Sequence, residues 1–318
     1  MARLVILSPM DQRSAAERFP GHDVSVVGRD EDPAAGCKGS DAVISDWTGH
    51  HQVAGAVVDA LAPTCRLVQS IGAGYDSIDA AACAAAGIPV ASGSGLNADA
   101  VAEWCLWGAI SAQRLLTASD RLLAGGGWTR EYVTRYDLAT SRVGIIGLGS
   151  IGRACAARFV ACRAEVVYWS RRRRPAEVEA ELGVSWLELE ELMATSDVVI
   201  VMVALTDRTR GLVSRELIAK MKPSAVLVNA ARGPVVDEDA LVEALRDKRI
   251  HGAALDVFDE EPLPEDHRYR DLDNVTLTPH LAGVTQHALS AITQGALDNI
   301  DRVLRGEPPL RLVHVEPR

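Results

Sequence analysis

Val143-Gly144-Ile145-Ile146-Gly147-Leu148-Gly149-Ser150-Ile151-Gly152 is the stretch on which the fold turns. Its first four residues are a short apolar run of strand length, and residues 151–162 continue as a helix-length segment. Between them Gly147, Gly149 and Gly152 keep the spacing G-x-G-x-x-G. In a strand–turn–helix unit the first glycine permits the tight turn and the second admits a phosphate close to the backbone. The third lets the helix pack on the strand. The helix N-terminus then offers free N–H groups and the positive end of its dipole to an anion. The spacing alone is weak evidence. Set between strand and helix, it points to a dinucleotide pyrophosphate held by Gly147, Leu148, Gly149, Ser150, Ile151 and Gly152.

On both sides of this turn strand-like runs alternate with helical stretches, the pattern of a parallel α/β protein. Upstream the runs fall at 4–7, 24–27, 42–45, 67–70 and 89–91, with helical stretches at 52–62 and 77–86. From residue 141 a second series places strands at 143–147, 165–169, 198–203, 225–229, 252–255 and 275–278. Six such strands make a full dinucleotide-binding half. One long helix over 97–123, ended by Gly125-Gly126-Gly127, bridges the two series. Another runs over 283–305 and closes at Gly306 and Pro308-Pro309. The apolar stretch 310–315 is expected to pack back on the first series.

A chain of 318 residues exceeds what one core usually fills, so two domains are expected. A net charge of −10 disfavours nucleic acid and anionic membranes as partners and leaves small molecules. The apolar segment 98–112 carries Asp99 and Glu103, which makes it a buried amphipathic helix and not a membrane span. Cysteines 37, 65, 83, 105, 155 and 162 form no C-x-x-C pair and meet no histidine at zinc-finger spacing. No metal site or disulfide framework is expected, and scattered thiols fit a reducing, cytoplasmic compartment. The opening apolar run is too short for a signal peptide and reads as a strand.

The end of the 165–169 strand bears on which dinucleotide binds. An NAD site usually offers a carboxylate there to the ribose 2′-hydroxyl. This chain runs instead into Ser170-Arg171-Arg172-Arg173-Arg174. Ser170, Arg171 and Arg172 would give a 2′-phosphate a hydroxyl and guanidinium forks, so NADP is expected over NAD. The bland alternative is a solvated basic turn.

Three later segments place polar residues where strands end: Val228-Asn229-Ala230-Ala231-Arg232-Gly233, Leu255-Asp256-Val257-Phe258-Asp259-Glu260-Glu261-Pro262 and Leu277-Thr278-Pro279-His280. Ligands of open α/β sheets bind beyond the carboxyl ends of the strands. Reduction of a 2-oxo acid needs a fixed cation for carboxylate and carbonyl, which Arg232 suits, and a mobile proton, which His280 suits. A carboxylate such as Glu261 beside an imidazole fixes its tautomer and favours its charged form. Alone, each residue also reads as a surface cation, a loop carboxylate or a satisfied histidine.

Together these stretches resemble the D-isomer-specific 2-hydroxyacid dehydrogenase family. Gln69-Ser70-Ile71-Gly72-Ala73-Gly74-Tyr75-Asp76-Ser77-Ile78-Asp79 and Asn97-Ala98-Asp99-Ala100-Val101-Ala102-Glu103 add to the match. The resemblance implies two Rossmann-like domains. A discontinuous, flavodoxin-like substrate domain would comprise 1–96 and 284–318, with a dinucleotide-binding domain, 97–283, inserted in it. It also implies an active site in the cleft between them and a homodimer built on the nucleotide domain. Arg232, Glu261 and His280 become the catalytic set, and the N–H groups of Ala73 and Gly74 hold the substrate carboxylate. Asp256 bonds the nicotinamide carboxamide, while Thr206 and Ala230 line the cofactor groove. Trp104 stands where relatives often carry histidine and is expected to affect packing. Ala204 replaces a common proline and is expected to loosen the cofactor loop.

Within the family, Asp46 and Trp47 occupy the loop that offers arginine to phosphate in phosphoglycerate dehydrogenases, so a phosphate there would be repelled. Glu261 is glutamine in formate dehydrogenases, and phosphite enzymes carry a lysine near 72–75 that is missing here. Glyoxylate, hydroxypyruvate or another short 2-oxo acid remains, with Trp47 and Tyr75 as pocket walls. The alternatives are an NAD-using enzyme of the phosphoglycerate or D-lactate type, or a cofactor-responsive corepressor-like binding module.

Overall fold

A computed structural model describes residues 2–128 and 135–314. The chain divides into two compact units: residues up to Asn97 with those from Thr285 onward, and Ala98–Val284.

Among the described residues the first unit is built on β1 (Arg3–Ile6), β2 (Asp23–Val26), β3 (Ala42–Ile44), β4 (Leu67–Gln69) and β5 (Val90–Ala91). All pair in parallel in the order β2-β1-β3-β4-β5, the flavodoxin-like winding. Strands covered on both faces read as continuous apolar runs. Here Val5, Val43 and Val68 enter one buried cluster, while Leu4, Ile6, Ile44 and Leu67 enter another. The second cluster is completed by Ile292, Ala296, Ile300 and Val303 of the helix Gln286–Leu304. Thr285 caps this helix by accepting the Ala288 N–H. Asn299, fully buried, donates to Gln69 Oε1 at 2.9 Å and accepts the Leu310 N–H at 2.7 Å, and Leu312 bridges Ala91. The C-terminal stretch therefore returns to the first sheet through a buried amide. Val315, the last residue of the expected apolar stretch, lies outside the described residues.

The second unit holds β6 (Arg142–Ile146), β7 (Glu165–Trp169), β8 (Val184–Trp186), β9 (Val198–Val201), β10 (Val226–Asn229), β11 (Gly252–Leu255) and β12 (Val275–Leu277). Their order, β12-β11-β10-β9-β6-β7-β8, reverses direction at β6, the switch point where an open sheet binds a dinucleotide. Two expectations are corrected. The described residues contain a seventh strand, β8, where the apolar runs indicate six. It is a three-residue edge strand with Ser185 exposed, entered through Gly183 at φ 66°, and it carries too few apolar residues to register as a run. The long bridging helix is two helices, Ala98–Arg114 and Leu116–Ala124, broken at Leu115 with φ 52°. Ser111 and Thr117, on opposite sides of the break, both meet Thr276 Oγ1 of β12, at 3.1 and 2.9 Å. A bend lets both hydroxyls reach one strand residue. Among the described residues no helix is long and apolar enough to cross a membrane.

Candidate active site

The glycine turn begins where β6 ends. Gly147 sits at φ 106°, and a Cβ there would lie 2.4 Å from Met202 O. A Cβ on Gly152 would lie 2.0 Å from Gly147 O, so this glycine sets the contact between the helix Ser150–Ala161 and the turn. A Cβ on Gly149 would meet nothing within 4 Å. The outer glycines are thus needed for conformation and packing, and the middle one adjoins open space. No side chain caps the helix at Gly149, and a helix N-terminus favours an anion through its dipole. These features fit a dinucleotide pyrophosphate.

The basic turn after β7 divides its arginines. Arg173 forks onto Glu179, with Nε at 2.9 Å and Nη2 at 2.8 Å. Arg174 donates from Nη2 to Leu148 O at 3.0 Å. Arg171 and Arg172 are exposed. Ser170 Oγ accepts the Leu148 N–H at 3.0 Å.

After β9, Thr209 ties the 204–209 loop together. Its hydroxyl donates to Ala204 O at 2.6 Å and accepts the Thr206 N–H at 2.8 Å. The loop that lacks a proline at Ala204 is stitched by a side chain instead.

Arg232, Glu261 and His280 follow β10, β11 and β12, three adjacent strands, so sheet order alone sets their backbones side by side. Asn229 shapes the first turn: its Nδ2 donates to Arg232 O and its Oδ1 accepts the Ala231 N–H, both at 3.0 Å. Gly233 then lies against the next loop, because a Cβ on it would fall 2.0 Å from Phe258 C and 2.4 Å from Asp259 N. That same loop orients the carboxylate. Glu261 Oε1 accepts the Phe258 N–H at 3.0 Å, and Oε2 meets His280 Nδ1 at 2.7 Å. Burial pushes the Glu261 carboxyl up, but His280, the Phe258 N–H and the Arg232 charge outweigh it and leave it below its ordinary value.

His280 occupies the left-handed region at φ 52°, a conformation disfavoured for a side-chain-bearing residue. Its N–H donates to Asp256 O at 2.8 Å. The Asp256 carboxylate, 1% exposed, accepts from Thr278 Oγ1 at 2.5 Å, Leu281 N at 2.9 Å and Ala282 N at 2.8 Å. Asp256 thereby grips the chain on both sides of His280, a contact that no spacing rule announces.

In the first unit, Ser70 Oγ donates to Gly74 O at 2.5 Å and shapes the 72–75 loop. The Ala73 and Gly74 N–H groups donate to no acceptor among the described residues. Tyr75 is half-buried against the sheet cluster, and Trp47 is 45% exposed. Asp46 departs from its expected place beside a ligand. It is 2% exposed and accepts from Ser8, from both donors of Thr48 and from the His51 N–H. Burial raises its pKa, and these donors more than reverse that. Asp46 ties its loop together, and Trp47 is what the loop presents. Trp104, 7% exposed, packs beside Trp107 with ring centroids 5.9 Å apart.

Residues 106–282 match the model of the D-isomer specific 2-hydroxyacid dehydrogenase, NAD binding domain. A glyoxylate reductase of Thermofilum pendens is 37% identical over 265 residues, which cover 82% of this chain and 78% of that one. A glyoxylate/hydroxypyruvate reductase B of Enterobacter agglomerans is 35% identical over 76% of each chain. Among solved structures, an NADPH-dependent glyoxylate/hydroxypyruvate reductase from Sinorhizobium meliloti, in complex with NADP and malonate, has a TM-score of 0.85. It is 28% identical, and the match covers 98% of this chain and 96% of that one. The chain belongs to the D-isomer-specific 2-hydroxyacid dehydrogenase family.

Proposed function

We propose that this enzyme reduces a short 2-oxo acid of the glyoxylate or hydroxypyruvate kind to the D-2-hydroxy acid, with NADPH preferred to NADH. The observation that carries the reading is the 2.7 Å pair of His280 and Glu261 on strand ends adjoining that of Arg232. Because Nδ1 faces the carboxylate, Nε2 is the ring atom left to donate a proton to the substrate carbonyl oxygen. Arg232 supplies a permanent positive charge for that oxygen and the carboxylate. The reduced nicotinamide, when bound, supplies the hydride. Glu261 fixes the His280 tautomer, and Asp256 fixes the backbone that carries the ring. The free N–H groups of Ala73 and Gly74 suit the substrate carboxylate, and Trp47 and Tyr75 serve as its apolar walls.

In this reading residues 97–283 are the dinucleotide-binding domain and 1–96 with 284–318 the substrate domain. Gly147, Leu148, Gly149, Ser150, Ile151 and Gly152 hold the pyrophosphate, and Ser170, Arg171 and Arg172 take the 2′-phosphate. Thr206 and Ala230 line the groove. We place the enzyme in the cytoplasm as a homodimer. Exposed Trp107, Leu116, Leu122 and Leu123 on the broken helix pair support self-association. Absorbance of the reduced nicotinamide is followed with glyoxylate, hydroxypyruvate, pyruvate and phenylpyruvate under both cofactors. Turnover is expected to be fastest with the first two and NADPH. No turnover across the panel, despite cofactor binding, would overturn the reading in favour of a binding module.

A further inference from the structure

We propose that Glu179, together with Tyr168, is a positioning residue for cofactor selectivity. The pair commits Arg173 and Arg174 to the protein and so holds rigid the turn that carries Ser170, Arg171 and Arg172. The proposal rests on the 2′-phosphate reading given above.

Four consecutive arginines repel one another, and a turn made of them needs a counter-charge to keep one shape. Glu179, on the helix Ala176–Leu182, supplies one to Arg173. Its side chain is only 10% exposed and takes three donors: Arg173 Nε, Arg173 Nη2 and the Tyr168 hydroxyl at 2.8 Å. The hydrogen bonds from Arg173 hold the Glu179 carboxyl below its ordinary value, with Tyr168 adding to them. A two-pronged guanidinium–carboxylate contact fixes orientation as well as distance. Arg173 also lies 5.9 Å above the Trp186 ring of β8, so it is held from a helix and from the edge strand together.

The next residue is held by its main chain. The Arg174 N–H donates to the Tyr168 hydroxyl at 2.7 Å, and Tyr168 is fully buried in β7. Its guanidinium reaches back to Leu148 O, while Ser170 Oγ accepts the Leu148 N–H. Both backbone polar groups of Leu148, in the glycine turn, are thus clamped by the two ends of the arginine turn. The pyrophosphate cradle and the ribose end form one braced body. Having accepted from Leu148, Ser170 keeps its own hydroxyl proton to give to a phosphate oxygen.

Two ligands that differ only in the 2′-phosphate, adenosine 2′,5′-bisphosphate and AMP, read this directly by titration calorimetry. The unaltered enzyme is expected to prefer the bisphosphate, and the double variant Arg171→Ala/Arg172→Ala to lose that preference. Glu179→Gln and Tyr168→Phe are expected to lower it roughly ten-fold, the scale of one charge-assisted contact, while AMP affinity stays level. The NADPH/NADH ratio of kcat/KM should move in step, with kcat under NADH unchanged. Should Glu179→Gln fail to fold, Tyr168→Phe decides, since it keeps the buried ring and removes only the hydroxyl. Loss of preference in the double variant, but an unchanged or raised preference in Glu179→Gln and Tyr168→Phe, overturns the bracing role alone. A raised preference would mean that released Arg173 binds the phosphate itself. An unaltered enzyme with no preference for the bisphosphate overturns the cofactor reading and the bracing role with it.

Discussion

Both units wind parallel strands with helices on each face, yet their strand ends are finished in opposite ways. Beyond β10, β11 and β12 the second unit places long polar side chains and holds each with a short contact: Asn229 on the arginine turn, Glu261 on His280, Asp256 on the chain around His280. Beyond β3 and β4 the first unit turns its carboxylate inward at Asp46 and leaves two backbone N–H groups without an acceptor among the described residues and an exposed aromatic. The two finishes separate the places where each kind of change will act. On the function proposed above, proton transfer would depend on side chains whose positions are over-determined, and substrate choice on surface shape and on amides that every sequence possesses.

The contrast predicts a descending series of effects. Replacing His280 with Ala should lower kcat by roughly 10²–10⁴-fold, the usual worth of a general acid, while NADPH affinity measured by fluorescence titration changes little. Turnover that survives nearly intact would remove the second unit's claim to the chemistry.

The next effect in size turns on the lowered carboxyl of Glu261. Its charge, and with it the attraction to His280, is fully present above the ordinary carboxylate value and is lost as pH falls through the lowered one. The profile of kcat/KM should therefore fall on the acid side below the ordinary glutamate value. Glu261→Gln should abolish that limb and lower kcat/KM at neutral pH by roughly 10–100-fold. An unchanged acid limb in the variant would assign it to another group.

The smallest effect belongs to the first unit. Trp47→Ala should shift the ratio of KM values for hydroxypyruvate and glyoxylate by roughly three- to ten-fold and leave kcat for glyoxylate close to its starting value. A collapse of kcat as large as that of His280→Ala would erase the division between the two regions.

Much of the second unit was legible because its signals are local. A glycine turn needs its glycines at fixed spacing, and strands buried on both faces must be apolar throughout, as Val198–Val201 is. The edge strand Val184–Trp186 has no sequence signal because three residues carry no period, and the break at Leu115 comes with contacts from both of its sides to Thr276, far along the chain. Gly233 reads in sequence as a residue after an arginine. Only its approach to Phe258 and Asp259 shows that it seats the loop after β10 on the loop after β11.

Residue type and short-range spacing suffice for the α/β winding and the glycine turn, while Arg232, Glu261 and His280 stand out in sequence as polar residues after strand ends and through the family resemblance. Tertiary contacts settle that Arg173 and Arg174 bond to the protein, that Asp46 is turned inward and what holds His280 in a left-handed backbone. Those outcomes depend on partners outside any short repeat, such as Glu179 for Arg173 and Asp256 for the turn at 278–282, and pairing of that kind has no period to read.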